Sequence, residues 1–204
     1  MRLWTAIKMT VALTILTGII YPLVVAGIAR VVFPYQAAGS LIVRNGQVIG
    51  SEMIGQNFSL PQYFHPRPSA AGDKGYDATS SGGSNLGPTN HSLIDTVKLR
   101  LKEVLEKNPG STAAAVPIDM VTASGSGLDS EISPADAGLQ ADRVAKARGL
   151  GDDAVQGLIR THTRARWAGL FGEPGVNVLE LNLALDSVKP VNATAMAGTA
   201  TGKP

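Results

Sequence analysis

From Met9 to Ala29 every residue is uncharged and most are apolar, with Lys8 closing the run on one side and Arg30 on the other. A helix of that length measures ~31 Å at ~1.5 Å per residue, the thickness of a bilayer's hydrocarbon core. Residues 9–33 are therefore expected to form a single transmembrane helix behind a short basic N-terminus, residues 1–8. The rival, a cleaved signal peptide, needs a shorter apolar core and a small-residue cleavage site. Here the run is longer, and its one fair cleavage candidate is Gly27-Ile28-Ala29.

Within the span Thr10, Thr14 and Gly18 recur every fourth residue and place small side chains on one face, with Pro22 next in the series. Such stripes let membrane helices approach closely. Pro22 lacks an N–H and its ring crowds the carbonyl of Gly18, so a kink packed against a neighbouring helix is one reading. A lone lipid-facing helix is the other, and both stay open. No ionisable residue interrupts the span, so it is not expected to line an ion route by itself.

After the span the pattern changes to that of a mixed domain. Ser40 to Gly50 places β-rich runs on either side of Asn45-Gly46, the pair a type I′ hairpin turn requires. Residues 55–88 are rich in Gly, Pro, Ser and Asn without a sustained period, and are expected to be a long ordered surface loop. Asn90 should cap a helix whose Leu93, Ile94, Val97, Leu101, Val104 and Leu105 share a face, stopped by Asn108-Pro109-Gly110. Pro117–Ala123 reads as extended. Ser133-Pro134 opens a second helix to about Arg148, with Gly149 beyond it. A third is expected from an Asp152 or Asp153 cap to about Arg166. Val176–Leu183 alternates and reads as a strand. The fold class is thus α+β: one N-terminal transmembrane helix, then one mixed domain over 34–187. Residues 188–204, dominated by Thr, Ala and Gly, are expected to be a disordered tail.

Charge adds little to this picture. Of 18 Lys plus Arg, three flank the span, leaving 15 against 16 Asp plus Glu. No basic cluster with interleaved aromatics occurs, so nucleic acid is not an expected partner. The chain has no cysteine, which removes disulfides and thiolate metal sites. Arg2, Lys8 and the free amine before the span weigh slightly more than Arg30 and Arg44 after it. That lean favours a cytoplasmic N-terminus and an extracytoplasmic domain.

Candidate chemistry is sparse. His65, His91 and His162 lack metal-ligand spacing. Asp129, Glu131 and Asp136 sit near Gly125 and Gly127 but miss the oxygen spacing of a calcium loop, and turn formation or helix capping accounts for them. No serine sits in a nucleophile elbow. No catalytic residue and no metal ligand is assigned. The one stretch with a nucleotide-like pattern is Ser81-Gly82-Gly83-Ser84-Asn85, glycines of the kind that cradle an anion, yet without the lysine of a phosphate-binding loop. A plain polar turn is the alternative.

Several segments, taken in order, are familiar. They are Tyr21-Pro22-Leu23, Phe33–Ser40, Ile54–Phe58, Tyr63-Phe64-His65-Pro66-Arg67-Pro68-Ser69, Ser81–Leu86, Val121–Ser124, Gly127–Asp129, Ile132–Pro134, Arg143–Arg148 and Val176–Asn182. Together they resemble the KdpC family, the C subunit of the bacterial Kdp-type potassium-transporting P-type ATPase. The resemblance runs from the span to about Asp186. It implies an accessory, non-catalytic subunit of a pump in the bacterial inner membrane, whose partners are the bilayer, an ion-conducting subunit and an ATP-hydrolysing subunit. ATP and potassium would be handled by the complex, with no cofactor bound by this chain alone. The sequence lacks the Asp-Lys-Thr-Gly phosphorylation motif and the repeated filter loops of a channel, as such a role requires. The family has been described as a catalytic chaperone that raises the ATP affinity of the hydrolysing subunit, and Ser81–Asn85 resembles an ABC-type signature. An extracytoplasmic domain lies across ~30 Å of hydrocarbon from cytoplasmic ATP, so the expected effect is indirect, with the domain serving assembly and capping the ion entrance. The alternative is direct nucleotide binding by a cytoplasmic domain.

Overall fold

The apolar run folds as one helix over Arg2–Val32 in a computed structural model of the protein, which describes residues 2–190. The chain divides into two units, up to Ser51 and from Glu52. In the first, α1 (Arg2–Ile15) passes through a π-helical turn, Leu16–Ile20, into α2 (Tyr21–Val32). The turn is closed by the Tyr21 N–H donating to Leu16 O. It lies immediately before Pro22, where a wider turn relieves the ring's crowding of the preceding carbonyls. Thr10, Thr14, Gly18 and Pro22 are all exposed, and a Cβ added to Gly18 would meet nothing within 4 Å.

A short helix, α3 (Pro34–Ala37), leads into the hairpin of β1 (Leu41–Arg44) and β2 (Gln47–Ser51). Asn45 and Gly46 take φ of 53° and 76°, as a type I′ turn demands. The register slips between Ile42 and Val43. Ser51 Oγ donates to Gly39 O at 2.8 Å and ties the hairpin's end to its beginning.

The second unit is mixed helix and strand, as expected. Helix α4 (His91–Lys107) starts where Asn90 accepts from the Ser92 N–H, and none of its side chains is fully buried. Helix α5 (Pro134–Arg148) starts at Ser133, whose Oγ accepts from the Asp136 N–H, and ends at Gly149 in the left-handed region. Its inner face, including Ala137, Ala141 and Val144, forms the core with Phe64, Ile132 and Leu181. Strand β3 (Glu131–Ile132) precedes α5; α6 (Asp152–Thr161) and β4 (Thr163–Arg164) follow it. Strand β5 (Gly175–Asn177) is the centre of a three-stranded antiparallel sheet, ordered β3-β5-β4, and leads into α7 (Val178–Val188).

Three expectations are corrected. Val176–Leu183 is strand only to Asn177, whose Oδ1 accepts from the Glu180 N–H and caps α7. Val178, Leu179, Leu181, Asn182 and Leu185 are then buried at helical spacing. Pro117–Ala123 contains a 3₁₀ turn, Ile118–Met120, that turns Asp119 inward to accept from Ser133 N–H at 2.7 Å. Helix α6 ends at Thr161 rather than near Arg166, and its N-cap is Gly151, with Asp152 and Asp153 in its first turn. The tail expected over 188–204 begins with the last residue of α7; residues 191–204 lie outside the described residues.

Candidate functional site

The segment over residues 52–90 contains no helix or strand, yet its centre is among the best-held parts of the unit. Phe64 is fully buried, and Asn182 of α7 takes both of its backbone groups: Phe64 N–H donates to Oδ1 at 2.8 Å and Nδ2 donates to Phe64 O at 3.0 Å. One residue on, Gln140 of α5 does the same for His65, at 2.8 and 3.0 Å. Each side-chain amide stands in for a neighbouring strand, answering the demand that buried peptide groups be paired. Arg143 donates to Pro61 O and Tyr63 O at 2.6 and 3.0 Å. Arg148, whose side chain is 1% exposed, donates from all three nitrogens: to Gln62 O, Lys189 O and Asp186 Oδ1, at 2.7, 3.0 and 2.8 Å. Its guanidinium also lies 4.8 Å from the centre of the Tyr63 ring. The Tyr63–Ser69 motif is thus a strap buckled onto α5 and α7.

The second half of that motif holds the glycine-bearing loops. Arg67 pairs with Asp129 at 2.9 Å, Ser69 Oγ donates to Gly127 O, and Tyr76 Oη donates to Arg67 O. Ser81 Oγ and the Gly82 N–H both donate to Ser126 O, at 2.9 and 2.8 Å. A Cβ on Gly127 would lie 2.6 Å from Gly82 O and 2.7 Å from Ala71 N, at a φ of 67°. A Cβ on Gly83 would lie 3.0 Å from Gly125 O. Gly83 and Gly127 are small where they are because two loops meet backbone to backbone, whereas a Cβ on Gly82 would meet nothing within 4 Å. Ser84 and Asn85 stand exposed at the outer end of this contact, Asn85 with a φ of 52°.

Beside the strap a cleft of about 310 Å³ opens, walled by residues 57–76, α4 and α5. Arg67, Lys74, Arg100, Lys107 and Arg143 line it, with Glu103 and Asp136 as its carboxyls. Burial pushes Asp136 up to about 7, and Gln140, donating to its Oδ1 at 2.6 Å, only partly offsets this. Burial, then the Arg143 charge, lowers His65 to about 4, against its ring's contact with Leu60 O. Arg143 is drawn down to about 10 by the same desolvation.

Asp129, Glu131 and Asp136 do not converge. The first pairs with Arg67, the second with Arg164 at 2.7 Å, and the third is buried beneath Gln140. Among the described residues no three His, Asp or Glu side chains are grouped to hold a metal ion. In the β4–β5 connection Trp167, Leu170 and Phe171 are 75%, 76% and 63% exposed. Neither the amide buckles nor the cleft was foreseen from the sequence. The two halves of each buckle are 118 and 75 residues apart and the cleft is gathered from three separate segments, so neither has a local pattern, although the Tyr63–Ser69 motif marked one of the partners.

One apolar helix of bilayer length followed by a mixed helix-and-strand unit has the form of a membrane-anchored α+β protein. Residues 3–187 match the family described as KdpC, the K⁺-transporting ATPase c chain, and the chain belongs to that family. A relative from Polaromonas naphthalenivorans (strain CJ2) is 55% identical over 188 residues, 92% of this chain and 95% of its own. One from Gemmatimonas aurantiaca is 55% identical over 183 residues, covering 90% and 91% of the two chains. One from Koribacter versatilis (strain Ellin345) is 49% identical over 190 residues, covering 93% and 96%. Each of these relatives is described as a potassium-transporting ATPase KdpC subunit.

Proposed function

We propose that this chain is the accessory subunit of an ATP-driven potassium uptake pump in the bacterial inner membrane. It is anchored by its one span with the N-terminus cytoplasmic. Its α+β unit stabilises the assembly of the ion-conducting and ATP-hydrolysing subunits and caps the extracytoplasmic ion entrance. Any rise in the ATP affinity of the hydrolysing subunit then reaches it through the complex, as a coupling between distant sites. The observation that carries this reading is the use made of the most nucleotide-like stretch. The Gly82 amide is already bonded to Ser126 O, which takes it away from any anion, and Gly83 packs on Gly125, which accounts for its missing side chain. The span's exposed small-residue face at Thr10, Thr14, Gly18 and Pro22 supports packing against a partner helix.

A second reading rests on the exposure of Ser84 and Asn85, which leaves the outer end of Ser81–Asn85 open to a ligand: direct nucleotide binding by a cytoplasmic domain. Because the chain has no cysteine, one experiment separates the two. A Ser84→Cys variant in the complete pump is exposed to a membrane-impermeant maleimide, in intact and in lysed cells. Labelling of intact cells is expected. Labelling only after lysis would reverse the ranking, and a photoreactive ATP analogue should then crosslink near Gly82 and Gly83.

A further inference from the structure

The strap leaves the charges of the neighbouring cleft unbalanced. Of its five cations only Arg67 is in an ion pair among the described residues, with Asp129 outside the cleft. Arg100 and Arg143 donate to neutral acceptors, Val121 O, Pro61 O, Tyr63 O and Gln140 Oε1. Lys74 and Lys107 are exposed and in no ion pair. Against them stand Glu103, beside Arg100 on α4, and Asp136, buried under Gln140. A concavity in which one sign of charge outnumbers the other concentrates its field on whatever enters.

A second observation points to the same place. Among the described residues, the buried side-chain atoms without a hydrogen-bond partner are Arg67 Nε, Arg143 Nε and Asn108 Oδ1. All three residues line this cleft. Buried N–H groups left unpaired are costly, and native proteins keep few of them. Here two are guanidinium donors, which suit an oxygen anion, and the third is an acceptor, which suits a ligand that still carries a proton.

We propose that the cleft binds a small oxyanion, a phosphate or carboxylate group. Lys74, Lys107 and Arg100 supply its charge complement, and Arg67 and Arg143 add two more guanidinium groups to its wall. The site is separate from Ser81–Asn85 and does not depend on which side of the membrane the unit faces.

The test is calorimetric titration of the full-length chain, in a neutral maltoside detergent, with sodium phosphate against sodium chloride of matched ionic strength. Saturable heat specific to phosphate is expected. The double variant Lys74→Gln, Lys107→Gln alters two exposed side chains and should keep its melting temperature while binding phosphate about tenfold more weakly. Repeating the titration in micelles doped with phosphatidylglycerol identifies the source. Lost phosphate heat assigns the cleft to a lipid headgroup, and undiminished heat assigns it to a free anion. No phosphate-specific heat in either micelle, or equal affinity in the double variant, would overturn the proposal.

Discussion

Asn182 holds both backbone groups of Phe64, 118 residues away, in a two-way amide pairing buried inside the unit. Replacing Asn182 with Ala strands a buried donor and a buried acceptor together. The expected loss is about 3 kcal/mol of stability, read as a lowered denaturant midpoint of the full chain in detergent. Gln140→Ala should cost less, because His65 is only half-buried. The two changes should be coupled in a double-mutant cycle, since they buckle consecutive residues. Strict additivity would mean the strap is held elsewhere.

Arg148 tests whether geometry or charge fastens the strap. Its three nitrogens each reach a different oxygen, a fan that an ammonium group cannot reproduce. Arg148→Lys is expected to destabilise by about 2 kcal/mol and Arg148→Met by about 3 kcal/mol, with Asp186 left facing an emptied partner. A lysine variant as stable as the parent would show that charge alone suffices.

The two titrating groups of the cleft pull stability in opposite directions with pH. His65 protonates near 4 when folded and near 6.5 when unfolded, so the unfolded chain takes up the proton first as pH falls. Its contribution to stability is therefore lost as pH drops from 6.5 towards 4. Asp136 keeps its proton up to about 7 when folded but releases it near 3.8 when unfolded, so its penalty grows as pH rises across that range. Asp136→Asn should accordingly gain stability over the parent at pH 8, with the gain vanishing by pH 4. His65→Gln should flatten the acid limb of the melting-temperature profile.

Gly127 and Gly125 are two residues apart and should behave differently. Gly127→Ala forces a Cβ against Gly82 O and Ala71 N at positive φ, and should cost about 2–3 kcal/mol. Gly125→Ala meets nothing within 4 Å and should stay within about 0.5 kcal/mol of the parent. Gly82→Ala likewise meets nothing, so it is a clean probe of ligand binding at the loop, with thermal melts as the control.

Pro22→Ala restores a backbone donor at the π turn. The expected result is an ordinary α-helical turn across Leu16–Ile20, visible as new amide protection at residue 22 in hydrogen exchange on the detergent-solubilised chain. A retained π turn would point instead to Thr17, whose hydroxyl donates to Leu13 O at 2.7 Å.

The parts of the fold readable in sequence are those whose causes are local. Asn45-Gly46 dictates its turn, Asn90 its cap, and Ser133-Pro134 with Gly149 the two ends of α5. The misreading at Val176–Leu183 came from a run whose apolar residues fit a two-residue period as well as a helical one. Asn177 followed by Glu180 was the deciding signal, a cap that converts the chain from strand to helix in one step. Asp119 was unreadable for another reason. It turns inward to receive Ser133, and nothing near Pro117 announces a partner 14 residues on. The cleft's cations were visible only as scattered charge, because three separate segments had to fold before they faced one space.

The strap also sets an order in time. As the chain leaves the ribosome, Phe64 emerges long before Asn182, and at ~5–20 residues per second the wait is on the order of ten seconds. Until α5 and α7 exist, the peptide groups of Phe64 and His65 lack the partners that hold them, and Phe64 has no core to enter. Helix α7, the last among the described residues, is therefore the latch of the unit. A chain truncated before Asn182 would leave its strap loose, marked for degradation before it could take a place beside any partner.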